Sequence, residues 1–196
     1  MVEQQEKDSG IRPLRADARR NSEAILNAAA EVFDTLGVEA PVKVIADKAG
    51  VGVGTLYRHF PQRPDLIKAI IQKEVDACAD AAMVLVANEE PVDALAKWMQ
   101  RLVDLVATKR GLGPALHSGN AAYQSLPDYV FGRLTPVLSG LLDAAAASGS
   151  IRSDVDAKEL LIACMRVATP ASEGDVAQAR RMVALMIDGL RMPRNG

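Results

Sequence analysis

Apolar residues recur along this chain at three- and four-residue intervals, and nowhere do they alternate with polar ones long enough to make a strand. Ile25, Ala29, Val32, Phe33 and Leu36 mark one helical face, and Gly37 supplies its stop. Pro41 suits the first position of a second helix, since it lacks only an N–H that would be unpaired there. That helix is predicted to run to about Ala49 and to end at Gly50, where a tight turn favours positive φ. A short third helix follows from near Val53 to just before Pro61, with Gly52 as a weak N-cap. A long fourth helix starts at Arg63 or Pro64 and carries Leu66, Ile70, Ile71, Val75, Ala79 and Met83 as its buried stripe. The run Asn88-Glu89-Glu90-Pro91 closes it.

The remainder reads as helical too. Pro91 to Arg110 places Leu95, Trp98, Met99, Leu102, Val103 and Val106 on one face, and Gly111 to Asn120 is a short or broken segment. Ser125 to Ser148 carries Val130, Leu134, Val137, Leu138, Leu141 and Leu142, with a kink or break expected at Pro136. Ser148-Gly149-Ser150 ends that helix. A last pair, about Asp156–Ala168 and Asp175–Arg191, is separated by Thr169-Pro170. The predicted fold class is all-α.

Composition narrows the function. With 49% hydrophobic but only 4% aromatic residues, the core must be built from Ala, Leu, Val, Ile and Met, which favours helices. A net charge of −2 argues against a uniformly basic nucleic-acid coat, so any DNA contact must be local. Arg12, Arg15, Arg19 and Arg20 against Asp17 offer one basic patch, with a solvated tail as the plain alternative. Cys78 and Cys164 lie in apolar helical patterns and form neither a disulfide framework nor a metal cluster, so no metal and no cofactor are expected. Residues 1–10 are polar, with no secretory signal, and no apolar run approaches the roughly 20 residues of a bilayer span. A cytoplasmic protein is expected.

The most informative stretch is Ile45-Ala46-Asp47-Lys48-Ala49-Gly50-Val51-Gly52-Val53-Gly54-Thr55-Leu56-Tyr57-Arg58-His59-Phe60. Gly50-x-Gly52-x-Gly54 invites a nucleotide-binding reading, but a dinucleotide fingerprint needs G-x-G-x-x-G after a strand, and here Thr55 follows Gly54 directly and a helix precedes. Helix, glycine turn and second helix instead make the unit that presents a recognition helix to the major groove. An ordinary helix hairpin could use Leu56 and Phe60 equally well. Thr55, Tyr57, Arg58 and His59 count against it, because four polar-capable side chains in five positions leave little to bury. Val53 and Gly54 permit close approach, and the helix dipole there favours phosphate.

These residues, from about Ile25 to Leu66, resemble the DNA-binding region of the TetR family of transcriptional regulators. The resemblance implies an N-terminal three-helix helix-turn-helix domain followed by a larger helical ligand-binding and dimerisation domain. The divisions expected are a disordered basic arm at 1–14, a DNA-binding domain at 15–66 and an effector-binding and dimerisation domain at 67–196. It also implies roles. Val53, Gly54, Thr55 and Lys43 match base-reading positions, Tyr57 and His59 match backbone-contacting ones, and Arg63 matches a basic residue that grips a phosphate. Arg58 would add a further phosphate contact. Two departures remove hydroxyls common in the family: Ala40-Pro41-Val42 stands where Ser or Thr caps the second helix, and Gly52 replaces Ser.

The C-terminal part resembles the family only through Gly149-x-Ile151-Arg152-x-Asp154-Val155-Asp156, the link into the last helix pair. By that analogy Leu160, Leu161, Cys164 and Val167 with Val183, Met186, Ile187 and Leu190 could form a four-helix seam with a second subunit, or an intrachain core. Candidate effector-binding residues are Trp98, Met99, Leu102, His117, Tyr123, Tyr129, Phe131, Met165 and Arg166, each of which could equally be ordinary packing. The implied function is a homodimeric repressor of a palindromic double-stranded DNA operator, released by a small-molecule effector. The alternatives are a ligand-independent regulator of the same family, or an all-α carrier or enzyme. No nucleophile–base signature supports an enzyme.

Overall fold

The structure is a computed structural model, described here for residues 11–107, 112–116, 118–169 and 176–191, with side chains from residue 17 onward except at residue 114. His117, most of the expected arm at 1–14, and the side chains of Arg12 and Arg15 lie outside what is described. The described elements are α1 (Ile11–Leu36), α2 (Val42–Ala49), α3 (Val53–His59), α4 (Arg63–Asn88), α5 (Pro91–Ala107), α6 (Gly113–Leu116), a 3-10 turn at Ala121–Tyr123, α7 (Leu126–Ala147), α8 (Ala157–Ala168) and α9 (Val176–Leu190). Among the described residues the nearest thing to a sheet is one isolated bridge between Ile151 and Arg191. The all-α class follows. α1 begins at Ile11, so it takes in residues 11–14 of the expected arm.

Two compact units divide the chain, one of residues 1–70 with 111–123, the other of 71–110 with 124–196. In the first, α1 packs on α2 and both meet α3. Ile25, Ala29, Val32 and Phe33 on α1 close over Ile45 and Ala46 of α2, Leu56 of α3, Phe60, and Leu66 and Ile67 at the start of α4, all buried. Burying an aliphatic or aromatic side chain of this size contributes about 1.5–3 kcal/mol, so these anchors, rather than helix propensity, hold the seven-residue α3 in place. Leu36, predicted to share the α1 face, is exposed instead, because α1 ends there and Gly37, at φ 77°, turns the chain away.

In the second unit α5 is the hub, contacting α7, α8 and α9, which also pack α7 on α8 and α8 on α9. Its Leu95, Trp98, Met99, Leu102 and Val103 are fully buried. On α4 the buried stripe runs through Ile71, Val75, Cys78 and Ala82, whereas Met83 is 72% exposed. Unbroken four-residue steps from Ile71 to Met83 gain about 40° of rotation each on a 3.6-residue helix, which carries Met83 off the buried face. α7 runs through Pro136 without the predicted break. Residues Ala121–Ala147 reach a mean hydropathy of 1.2 over a window long enough for a membrane span, more than the sequence reading allowed. The stretch includes Asp128, Arg133 and Asp143, and it turns Leu134, Leu138 and Leu141 into the core around α5.

Candidate nucleic-acid interface

The turn between α2 and α3 is set by backbone chemistry. Gly50, at φ 68° and ψ 27°, lies in the left-handed region that favours glycine, and its N–H donates to the Asp47 carbonyl at 3.2 Å. The next N–H, of Val51, reaches back to the Ala46 carbonyl at 3.0 Å. Together these two bonds close α2 as a Schellman motif and aim the chain into α3. Gly52, extended at φ −71° and ψ 147°, then starts α3, and its carbonyl accepts from Thr55 at 2.9 Å and Leu56 at 3.1 Å. Neither α2 nor α3 has a side-chain cap, since Pro41 and Gly52 occupy the N-cap positions. Pro41 therefore sits one residue outside the helix it was expected to open.

Leu56 and Phe60 point into the three-helix core, and everything else on α3 faces outward or sits at its margin. Val53, Gly54, Tyr57 and Arg58 are exposed; Thr55 and His59 are half-buried, the His59 ring 6.2 Å from that of Phe60. Lys43 is exposed on α2. Among the described residues neither Lys43 nor Arg58 pairs with a carboxylate, whereas Lys48 is held by Glu31 at 2.7 Å. A Cβ built on Gly54 meets no atom of the protein within 4 Å, so the fold does not require glycine there. Arg63 behaves differently. Its guanidinium turns inward, donating to the carbonyls of Val38 and of Ala40 (2.8 Å for the latter), and lies 5.9 Å from the centre of the Phe33 ring.

Residues 25–70 match the family described as bacterial regulatory proteins, tetR family, and residues 90–192 match the transcriptional regulator SbtR-like C-terminal domain. The chain belongs to the TetR family. Among solved structures, a TetR transcriptional regulator of Streptomyces coelicolor is 39% identical with a TM-score of 0.73, the match covering 87% of this chain and 98% of that one. A TetR regulatory protein of Mycobacterium vanbaalenii is 35% identical at a TM-score of 0.72, over 92% and 100% of the two chains. An HTH-type transcriptional regulator of Staphylococcus aureus (strain USA300) is 42% identical over 64 residues, which are 32% of this chain and only 35% of that relative's length. This TetR-family chain is a DNA-binding transcriptional regulator with an N-terminal helix-turn-helix domain.

The C-terminal candidates are not brought to one place. Trp98, Met99 and Leu102 are fully buried, and the Trp98 indole N–H donates to the Cys78 carbonyl at 2.9 Å, which makes them packed core. Tyr123 belongs to the DNA-binding unit. Burial pushes its phenol pKa upward, the nearby Arg63 charge opposes that, and Glu39 adds to it. Tyr129 donates to Asp76 at 2.8 Å, and Arg133 from α7 bridges Asp76 and Asp80 of α4. Burial, then the bond and charge of Asp76, raise the Tyr129 pKa. Met165 is half-buried and Arg166 exposed on α8.

Phe131 lines a cavity of about 650 Å³ between α7 and the start of α8, together with Gly132, Thr135, Pro136, Ser139, Asp143, Val155 and Lys158. The Lys158 ammonium sits 5.9 Å from the Phe131 ring centre. Of these residues only Phe131 is named as an effector candidate from the sequence; the signal that could have pointed to the rest is Pro136, whose missing N–H leaves the Gly132 carbonyl without its usual helical donor.

On α8 and α9, Leu160, Leu161, Cys164, Val183, Ile187 and Leu190 are buried within the chain itself. Val167, Met182 and Leu185 are the exposed large apolar residues, with Met186 half-buried. Met182 and Leu185 were missed, although Met182 stands three residues before Leu185 and four before Met186, a spacing that marks one helical face. The link between α7 and α8 is well ordered by local bonds: Gly149 takes φ 71°, Arg152 pairs with Asp154 at 2.6 Å, and Asp156 caps α8 through the Glu159 N–H at 2.8 Å. The Asp154 carboxyl is held down at about 2 by the Arg152 hydrogen bond. Among the described residues no group of His, Cys, Asp or Glu is arranged for a metal.

Proposed function

We propose that this TetR-family regulator is a homodimeric repressor of a palindromic operator, released by a small-molecule effector. The observation that carries the DNA half is α3 itself, anchored by Leu56 and Phe60 with Val53, Gly54, Tyr57 and Arg58 free on its outer face. In this reading Val53, Gly54, Thr55 and Lys43 read base edges. Lys43 donates to guanine O6 or N7 and the Thr55 methyl meets thymine. Tyr57, Arg58 and His59 hold phosphates and set register.

Dimerisation would use the outer faces of α8 and α9, where Val167, Met182 and Leu185 leave apolar surface in water. Two copies would then offer recognition helices about 34–36 Å apart, one DNA turn. For the effector, the support is the concavity along α7, which combines the apolar walls of Phe131 and Pro136 with the hydroxyls of Thr135 and Ser139. A ligand that prefers the non-binding arrangement lowers operator affinity by its differential affinity for the two states. The filled core at Trp98, Met99 and Leu102 favours a second reading, a family member that senses no ligand.

The test is selection of bound sequences from random duplex DNA by the purified protein at near-physiological salt. An inverted repeat is the expected outcome. Retention that shows no motif and vanishes with modest salt would sink the operator reading, leaving only phosphate attraction.

A further inference from the structure

Arg63 opens α4, yet its side chain crosses to the loop between α1 and α2. One terminal nitrogen donates to the Val38 carbonyl and the other to the Ala40 carbonyl at 2.8 Å. Both loop residues are buried, Val38 at 7% and Ala40 at 3% exposure, and the two bonds to their carbonyls are part-buried, where a carbonyl left unpaired costs free energy. The guanidinium carbon lies 5.9 Å from the Phe33 ring centre, a cation–π contact from the α1 side. Pro41 follows Ala40 directly and is the N-cap of α2, which has no side-chain cap. The loop that aims α2, and through the Gly50 turn aims α3, is closed locally by the Ala40 N–H donating to the Gly37 carbonyl and is tied to the start of α4 by this one cation.

We infer that Arg63 is a positioning residue for DNA reading, acting through the loop at 37–41 rather than through a phosphate. The planar fork matters as much as the charge. Lysine keeps the charge but is a point donor that cannot hold two carbonyls in one plane. Misplacing α3 degrades base contacts, which require its placement, and spares non-specific attraction, which does not.

The experiment compares Arg63→Lys and Arg63→Gln with the parent protein, all confirmed helical and well below their melting temperatures. Binding to the selected operator and to an unrelated duplex of equal length is titrated across a salt series. Arg63→Lys is expected to lose about tenfold or more on the operator while its unrelated-duplex affinity and salt slope stay at the parent values. Arg63→Gln, whose shorter amide does not reach where the two terminal nitrogens stood, should lose at least as much on the operator as Arg63→Lys, again with unrelated-duplex affinity at the parent value. A phosphate contact gives the opposite pattern: Arg63→Lys binds both duplexes normally, and Arg63→Gln weakens both with a salt slope reduced by about 0.9 per contact. That pattern overturns the inference. So does parental operator affinity in both variants with only a lower melting temperature, which would make the clamp a matter of stability alone. A parent that selects no sequence at all refutes the operator reading on which this rests, before any variant is made.

Discussion

Adding one methyl group at Gly54 should push folding and DNA binding in opposite directions. Gly54 is the second residue of α3, is exposed, and has no protein atom within 4 Å of a built Cβ. It is not among the glycines with positive φ, so alanine adopts its backbone without strain. Replacing glycine by alanine in a helix contributes about 0.5–1 kcal/mol, mostly by restricting the unfolded chain. For a chain of this length that corresponds to a rise of about 1–4 °C in melting temperature. On DNA the same methyl stands beside Val53 on the outward face, where the backbone would approach base edges. A loss of about tenfold in operator affinity, or 1.4 kcal/mol, is expected, and Gly54→Leu should lose more. Thermal unfolding by circular dichroism reads the first effect, and anisotropy titration of a labelled operator reads the second. Parental affinity in both variants would refute the placement of the N-terminal end of α3 against DNA. A lowered melting temperature for Gly54→Ala would refute the helical backbone assigned to it.

Three further outcomes are expected. Gly52→Ser should fit without strain, since the site is open and extended, raising stability by a few tenths of a kcal/mol; a hydroxyl placed there should also strengthen operator binding, read by the same titration. Replacing both Met182 and Leu185 by Glu should turn a dimer into a monomer in sedimentation with helicity intact, whereas an unchanged mass would place the interface elsewhere. Burial pushes the Cys164 thiol up to about 12, with the neighbouring Cys78 a smaller contribution. The unfolded thiol ionises near 8.5, so above that pH the unfolded chain releases a proton that the folded chain keeps. Stability contributed by Cys164 should therefore be flat below pH 8 and fall between pH 9 and 11, in urea titrations compared with Cys164→Ala; a pH-independent difference between the two proteins would contradict the burial.

What the sequence made legible was local. Gly50 announces a left-handed turn because of its own backbone, and Leu56 and Phe60 announce a buried edge because they are four apart in a stretch whose other side chains are mostly polar or small. Periodicity says which face is buried and is silent about what buries it. Leu161, Cys164 and Val183 carry the pattern of a seam, yet they face their own chain, while Met182 and Leu185 remain outside. Trp98 and Met99 look equally suited to a ligand wall and a core, and only the third dimension fills the space around them. Arg63 is the sharpest case. Its position in the sequence matches a phosphate-binding residue, and the two carbonyls that claim it lie 25 and 23 residues away.

The DNA-binding unit is discontinuous along the polypeptide: residues 111–123 join residues 1–70, although the two family matches cut the chain at 70 and 90. Leu112 and Tyr123, both buried, are thus encoded some forty residues or more beyond the last core position of the head they belong to. Recombination between relatives at the apparent boundary would transplant a head without its final pieces. A chimera meant to exchange operator specificity should carry that later segment along with the first seventy residues, because this head is written in two separate stretches of sequence rather than one.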